Sequence, residues 1–105
     1  MLGENIIAEL ESKGFKRWQK GTFDRLYVNA SVLGLECTYY KTGNISSAAF
    51  NGEHISNSEG YRLKAAKTYV DINKGTIVSD SPMLAAEVAK IMGIEYRYGD
   101  KIIKI

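Results

Sequence analysis

Apolar residues recur along this chain with two different periods, and each period predicts one type of secondary structure. Near the start, the apolar positions follow a helical spacing with polar residues between them, at Ile6, Ile7 and Leu10. We therefore predict a first helix over residues 2–12. Gly14 is placed to stop this helix in the left-handed conformation, and Phe15 to pack back onto its last turn.

From residue 15 onward the period changes to the value of two that is typical of strands. The predicted strands cover residues 15–20, 22–30, 33–41, 45–50 and 53–55. In the second of them, one face carries Phe23, Arg25, Tyr27 and Asn29, and the other carries Asp24, Leu26, Val28 and Ala30. Asn51-Gly52 is the clearest hairpin turn in the chain, because both residues tolerate a positive φ.

The remaining half is predicted from its capping and turn residues. Ser56, with Glu59 three residues later, forms a capping-box pattern that opens a helix ending near residue 66. Residues 68–72 and 76–79 form a hairpin, and Ser81 with Pro82 begins a third helix that Gly93 ends. A last hairpin covers residues 94–105 and turns at residues 99–100.

This order of elements predicts an α+β fold, with residues 1–105 in a single domain. Tight turns between strands favour an antiparallel sheet built of hairpins, with two or three helices packed on one face. The predicted core comprises Ile6, Ile7, Leu10, Leu26, Val28, Leu33, Leu35, Leu84, Val88 and Ile91.

Composition agrees with an ordinary folded domain, since 45% of the 105 residues are hydrophobic and 25% are charged. The single cysteine, Cys37, excludes an intramolecular disulfide and favours a reducing compartment. The chain shows neither a targeting pattern nor a long apolar run. We therefore expect a soluble, cytoplasmic protein that makes no membrane contact.

Catalytic chemistry has few candidates in this sequence. Cys37 and His54 are the only plausible nucleophile and base, but Cys37 alternates with Leu33 and Leu35 on an apolar face, which favours a structural thiol. His54 follows a hairpin turn, which favours an ordinary surface residue. One cysteine and one histidine cannot build a zinc site, and no glycine-rich phosphate loop occurs. We expect no metal, no cofactor and no enzymatic activity.

Charge is unevenly distributed, which brings in a first candidate binding surface. Residues 13–27 hold five cations and one anion, although the net charge of the whole chain is only +2. Aromatic residues interleave with these cations, and the candidate binding residues here are Lys16, Arg17, Trp18, Lys20 and Arg25. Such a pattern suits nucleic acid, where cations meet phosphates and rings stack on bases. The alternative is a solvated sheet edge whose aromatic residues belong to the core.

Tyrosine supplies a second candidate surface. The chain has seven tyrosines, three phenylalanines and one tryptophan, a bias toward the aromatic residue that tolerates water. One ring of the Tyr39-Tyr40 pair must face outward, and Tyr96 and Tyr98 share a face of the last hairpin. We predict binding roles for Tyr40, Tyr96 and Tyr98, because exposed tyrosine is enriched at protein interfaces. The alternative is that these tyrosines border the core of a strand-rich fold.

Four segments of the chain also carry a resemblance. Residues 14–18 (GFKRW), 24–30 (DRLYVNA), 39–45 (YYKTGNI) and 50–53 (FNGE) resemble small proteins from phages and mobile elements of gut Firmicutes. The resemblance spans about half of the chain and implies no role for any single residue. Small proteins of that origin include anti-CRISPR inhibitors, which act by binding an RNA-guided nuclease.

Two functions therefore follow as expectations. The first is a non-enzymatic protein that docks on a host protein or nucleoprotein complex and blocks it, as an anti-CRISPR inhibitor does. The second is a small nucleic-acid-binding protein that uses the basic and aromatic segment 13–27. In either case, antiparallel pairing across the first hairpin should bring Arg17, Lys20 and Arg25 to one surface.

Overall fold

The structure, a computed structural model, describes residues 2–17, 24–94, 96–98 and 101–103, with side chains described in the first two ranges. In this part of the chain there are three helices, α1 (Glu4–Ser12), α2 (Asn57–Ala65) and α3 (Pro82–Met92). The strands are β1 (Lys16–Arg17), β2 (Arg25–Tyr27), β3 (Leu35–Tyr39), β4 (Ile45–Phe50), β5 (Glu53–Ile55), β6 (Thr68–Asp71), β7 (Thr76–Ser79), β8 (Tyr96–Tyr98) and β9 (Lys101–Ile103).

These strands form antiparallel sheets, so the predicted α+β class is confirmed. The four-stranded sheet has the order β1-β2-β6-β7, the three-stranded sheet the order β3-β4-β5, and β8 pairs with β9 as a separate hairpin. The separation of the four-stranded sheet from the three-stranded sheet has a local cause between β2 and β3. There the chain makes tight turns, with Val32 donating to the Asn29 carbonyl and Leu33 to the Ala30 carbonyl, each at 3.0 Å. β3 therefore leaves the plane of β2, and β6 takes the place beside it.

The predicted hairpin turn at residues 51–52 is confirmed. Asn51 has a φ of 51° and Gly52 a φ of 84°, as a two-residue turn of the favoured twist requires. The turn joins β4 and β5, both of which have the predicted bounds. It also links this sheet to α3, since the Asn51 side-chain amide donates to the Glu87 carboxylate at 2.9 Å.

The helix caps predicted from the sequence are present. The Ser56 hydroxyl accepts from the Glu59 amide at 3.1 Å at the start of α2. The Ser81 hydroxyl does the same for the Leu84 amide at 3.4 Å at the start of α3. Gly93 ends α3 with a φ of 69°. These contacts satisfy backbone groups that the helix ends leave without partners.

The first helix begins two residues later than predicted. Leu2 is held outside it because its backbone amide donates to the Ile72 carbonyl at 2.8 Å, which ties the start of the chain to the end of β6. The predicted stop is confirmed, since Gly14 has a φ of 110°. Phe15 is buried, and its amide donates to the Leu10 carbonyl at 3.1 Å.

The core lies between the inner face of the four-stranded sheet and helices α1 and α3, and extends onto the three-stranded sheet. Eight of the ten predicted core residues are buried, namely Ile7, Leu10, Leu26, Val28, Leu33, Leu35, Leu84 and Val88. Ile91 is half-buried and packs at the edge of this cluster. The placement of Ile6 in the core is wrong, because its side chain is 40% exposed. Ile6 lies about 100° around the helix axis from Ile7, and α1 buries only the stripe of Ile7 and Leu10.

Helix α2 packs on the three-stranded sheet rather than on the four-stranded one. Gly60 permits this packing, because a Cβ atom at residue 60 would lie 2.8 Å from the Ala48 Cβ on β4. Atoms of this kind do not approach so closely, so any larger residue would displace the helix. Leu63, one turn further along α2, is fully buried and joins this layer to the main core.

The contrast between Ile6 and Leu10 gives a stability test. We expect Leu10→Ala to lower the free energy of unfolding by about 2–5 kcal/mol, because Leu10 is 1% exposed and its truncation leaves a cavity. Ile6→Ala, on the same helix, should cost less than about 1 kcal/mol. Urea denaturation followed by circular dichroism measures both. Equal losses in the two variants would contradict the described orientation of α1.

Candidate functional site

The outer face of the four-stranded sheet is the candidate site. Because Leu26 on β2 and Val70 on β6 point into the core, the pleat directs their neighbours to the opposite side. Antiparallel pairing sets Tyr27 opposite both Lys16 and Tyr69, and Tyr69 opposite Val78. We call this surface the aromatic face, defined by Lys16, Arg25, Tyr27, Lys67, Tyr69 and Val78.

Two tyrosines from the two central strands form the middle of the aromatic face. The ring centroids of Tyr27 and Tyr69 are 5.1 Å apart, and the ring planes are tilted by 44°. Both side chains are half-buried, whereas Val78 beside them is 40% exposed. Pairs of this kind contribute to sheet stability, and they also present ring surface at the outside of the sheet.

Arg25 lies against both tyrosines. Its Cζ atom is 4.6 Å from the centre of the Tyr69 ring, and its Nη1 atom donates to the Tyr27 hydroxyl at 3.2 Å. The hydrogen bond to Tyr27, followed by the proximity of Tyr69, raises the pKa of the Arg25 guanidinium. The guanidinium is therefore a permanent cation, and its planar group adjoins the rings.

Lys67 supplies a further cation on this face. Its ammonium lies 5.9 Å from the centre of the Tyr27 ring. Asp80 fixes the Lys67 backbone from both sides, because the Asp80 carboxylate accepts from the Lys67 amide at 3.0 Å and the Asp80 amide donates to the Lys67 carbonyl at 3.1 Å. The lysine side chain is exposed, so its charge is available to a ligand.

The expectation that Arg17 and Arg25 share a surface is wrong. Arg17 pairs with Leu26 in the register of β1 and β2, which places it on the inner side of the sheet, whereas Arg25 is on the outer side. The Arg17 Nε atom lies 3.9 Å from the Glu11 carboxylate of α1. Lys16, which pairs with Tyr27, is the residue of β1 that belongs to the aromatic face.

The other candidate binding residues are not all tested. Trp18 and Lys20 lie outside the described residues, so their predicted roles stay predictions. Tyr96 and Tyr98 lie in β8, and the predicted hairpin is confirmed by their pairing with Ile103 and Lys101. Their side chains are outside the described part, and their binding roles also stay predictions.

Lys67, Tyr69 and Val78 were missed by the sequence reasoning. The sequence did contain a signal for Tyr69. Side chains alternate along the segment 68–72, so Tyr69 points to the outer side when its neighbour Val70 points into the core. The sequence alone did not show which strand would pair with this segment. Only the pairing of β2 with β6 brings Tyr69 beside Tyr27.

A second group of tyrosines surrounds the end of α2. Tyr39, Tyr40 and Tyr61 are 47%, 61% and 44% exposed, so both rings of the Tyr39-Tyr40 pair face outward. The Lys64 ammonium lies 4.6 Å from the centre of the Tyr39 ring. A hydrogen bond to Tyr39 is the main cause that raises the pKa of Lys64. The Tyr61 hydroxyl accepts from the Ile45 amide at 2.7 Å.

A cleft of about 590 Å³ lies between β3, the end of α2 and the turn after β2. Its size is within the range of small-ligand sites in proteins. It is lined by Asn29, Ala30, Ser31, Leu35, Glu36, Cys37, Tyr39 and Lys64. Asn29, Ser31 and Lys64 therefore bring amide, hydroxyl and ammonium groups to one concave surface beside the Tyr39 ring.

Cys37 and His54 do not form a catalytic pair. Cys37 lies opposite Ala48 on β4 and His54 lies opposite Ala49, so they occupy opposite faces of the three-stranded sheet. His54 is exposed, as predicted, and Cys37 is half-buried with its side chain in the cleft wall.

No group of three or more histidine, cysteine, aspartate or glutamate side chains in residues 2–17 and 24–94 is arranged to hold a metal ion. None of the helices in the described part of the chain combines the length and the apolar character needed to cross a membrane.

In comparisons with known proteins, no family model, no curated protein and no solved structure matched this chain.

The cations of the aromatic face should be dispensable for folding. Arg25 and Lys67 each contact a tyrosine ring near solvent, and such contacts contribute about 0.5–1 kcal/mol each. We expect the double variant R25Q/K67Q to unfold within about 2 kcal/mol of the wild-type protein, as measured by urea denaturation. A larger loss would mean that these cations are structural.

Proposed function

We propose that this protein is a non-catalytic binding protein for single-stranded nucleic acid, and that the aromatic face is its binding surface. The observation that carries the proposal is the Tyr27–Tyr69 pair on the two central strands of a four-stranded antiparallel sheet, with Arg25 and Lys67 against its rings.

The chemistry of the aromatic face matches the two parts of a nucleotide. Tyrosine rings and the guanidinium plane of Arg25 offer flat surfaces on which bases stack. The ammonium groups of Lys16 and Lys67 flank these surfaces and attract phosphates. Sheet surfaces with central aromatic residues are one of the general ways in which proteins hold unpaired bases.

Single strands suit this face better than duplexes do. In a duplex the bases are stacked on one another, so their flat surfaces are not available to tyrosine rings. A duplex would meet the face only through its phosphates. A preference for single strands over duplexes of equal length is therefore part of the proposal.

Substitutions on the two sides of the sheet provide the main test. Stacking contributes about 1–3 kcal/mol per base, so we expect Tyr27→Ala and Tyr69→Ala to weaken binding of a fluorescent 12-nucleotide single strand at least tenfold. Tyr27→Phe keeps the ring and should bind nearly as well as the wild-type protein. Fluorescence anisotropy gives the affinities, and circular dichroism confirms that each variant is folded.

Arg17 and Arg25 form a matched control pair for charge. R25Q should weaken binding severalfold, whereas R17Q removes the same charge from the inner side of the sheet and should change the affinity little. Equal losses in both variants would mean that net charge alone drives binding. Absence of binding by the folded wild-type protein would refute the proposal.

Salt dependence measures the phosphate contacts. If Lys16, Arg25 and Lys67 each neutralise one phosphate, the logarithm of the binding constant should fall with the logarithm of salt concentration with a slope of about −2. The R25Q variant should show a slope flatter by about 0.7. An anisotropy titration at several salt concentrations gives both slopes.

A second candidate is docking on another protein, and the exposed tyrosines favour it. Tyr39, Tyr40 and Tyr61 present aromatic surface away from the aromatic face, and tyrosine is enriched at binding hot spots. Blocking of a host nucleoprotein complex, as the resemblance to mobile-element proteins implies, would be docking of this kind. Affinity for such a partner should depend much less on salt than binding to phosphates does.

A further inference from the structure

We infer that the nucleic-acid strand does not end on the aromatic face but continues past Asn29 into the cleft beside Tyr39 and Lys64, where a further base is held. This inference rests on the proposed function and extends the site to a second element of the fold.

Asn29 is the first link between the two surfaces. It lies two residues beyond Tyr27, so its side chain projects to the same side as Tyr27 by strand alternation. The backbone pairing of β2 with β6 extends as far as Val28, whose amide donates to the Thr68 carbonyl at 3.1 Å, immediately before Asn29. Asn29 also lines the cleft. The cleft therefore begins about 7 Å along the strand from Tyr27.

Two lysines form the second link. Lys67 on the aromatic face and Lys64 in the cleft are three residues apart, at the point where α2 gives way to β6. Their ammonium groups lie against Tyr27 and Tyr39 respectively. A strand that passes from one ring to the other would have both ammonium groups beside it, as a continuous backbone track requires.

The same pairing of a cation with a tyrosine ring recurs along the proposed path. Three cation–ring pairs occur among the described residues, formed by Arg25 with Tyr69, Lys67 with Tyr27 and Lys64 with Tyr39. The three distances from cation to ring centre are 4.6, 5.9 and 4.6 Å, all within the range in which a ring attracts a cation. All three lie along the proposed path, and each combines a ring for a base with a cation for a phosphate.

The cleft also offers hydrogen-bonding groups for a base edge. Asn29 provides both a donor and an acceptor, and Ser31 provides a hydroxyl. We expect these groups of the cleft to set any base preference of the protein.

Oligonucleotide length separates the two parts of the site. We expect affinity to rise with length from three to about ten nucleotides and then level off. Tyr39→Ala and Lys64→Gln should bind the shortest strands as the wild-type protein does, and should bind ten-nucleotide strands at least fivefold more weakly. Arg62→Gln is a matched control for Lys64→Gln, since Arg62 is on the same helix but outside the cleft lining, and it should bind strands of all lengths normally.

Cys37 provides an independent readout, because it is the only cysteine of the chain and lies in the cleft wall. A ten-nucleotide strand at saturation should slow alkylation of Cys37 in the folded protein at least fivefold, and a three-nucleotide strand at saturation should slow it much less. The length series decides the question if the thiol reacts too slowly for this measurement.

The possible outcomes distinguish the inference from the function on which it rests. If no strand binds, the proposed function itself fails. If strands bind through Tyr27 and Tyr69 but Tyr39→Ala and Lys64→Gln bind all lengths normally, the site ends on the aromatic face and the inference is wrong. Strand binding with loss of affinity in Arg62→Gln equal to that in Lys64→Gln would also overturn it.

Discussion

Burial of one side of the four-stranded sheet is the constraint on which the rest of the structure depends. Leu26 and Val70 lie fully buried beneath α1 and α3, and each such side chain stabilises the fold by about 1.5–3 kcal/mol. A shift by one residue would exchange Leu26 for arginine or tyrosine, and Val70 for tyrosine or aspartate. The core therefore determines the register, and the register determines which residues form the aromatic face.

Features that depend on neighbouring residues were predicted well from the sequence. The caps at Ser56 and Ser81, the stop at Gly93 and the turn at Asn51-Gly52 involve groups within a few residues of one another. Their geometry follows from local chemistry, such as a hydroxyl that reaches a nearby amide or a residue that tolerates a positive φ. The faces of β2 were also predicted correctly, because alternation is a local property.

Features that depend on distant pairing were not predicted. Nothing near Tyr27 indicates that residues around Tyr69 will lie beside it, because the choice of partner is made by the packing of the whole domain. The side of the sheet on which Arg17 lies depends on the register of β1 with β2, which pairs Arg17 with the buried Leu26. Half of the candidate site was thus accessible from the sequence, and the other half only from the fold.

The close approach of α2 to β4 at Gly60 also fixes the dimensions of the cleft. Lys64 follows Gly60 by about one helical turn, so the height of the helix above the sheet determines how far Lys64 lies from β3. A methyl group at residue 60 would meet Ala48 and lift this end of α2. The cleft would widen although every residue lining it stayed the same. A substitution at residue 60 would therefore change the size of ligand that the cleft accepts, although residue 60 itself does not contact the ligand.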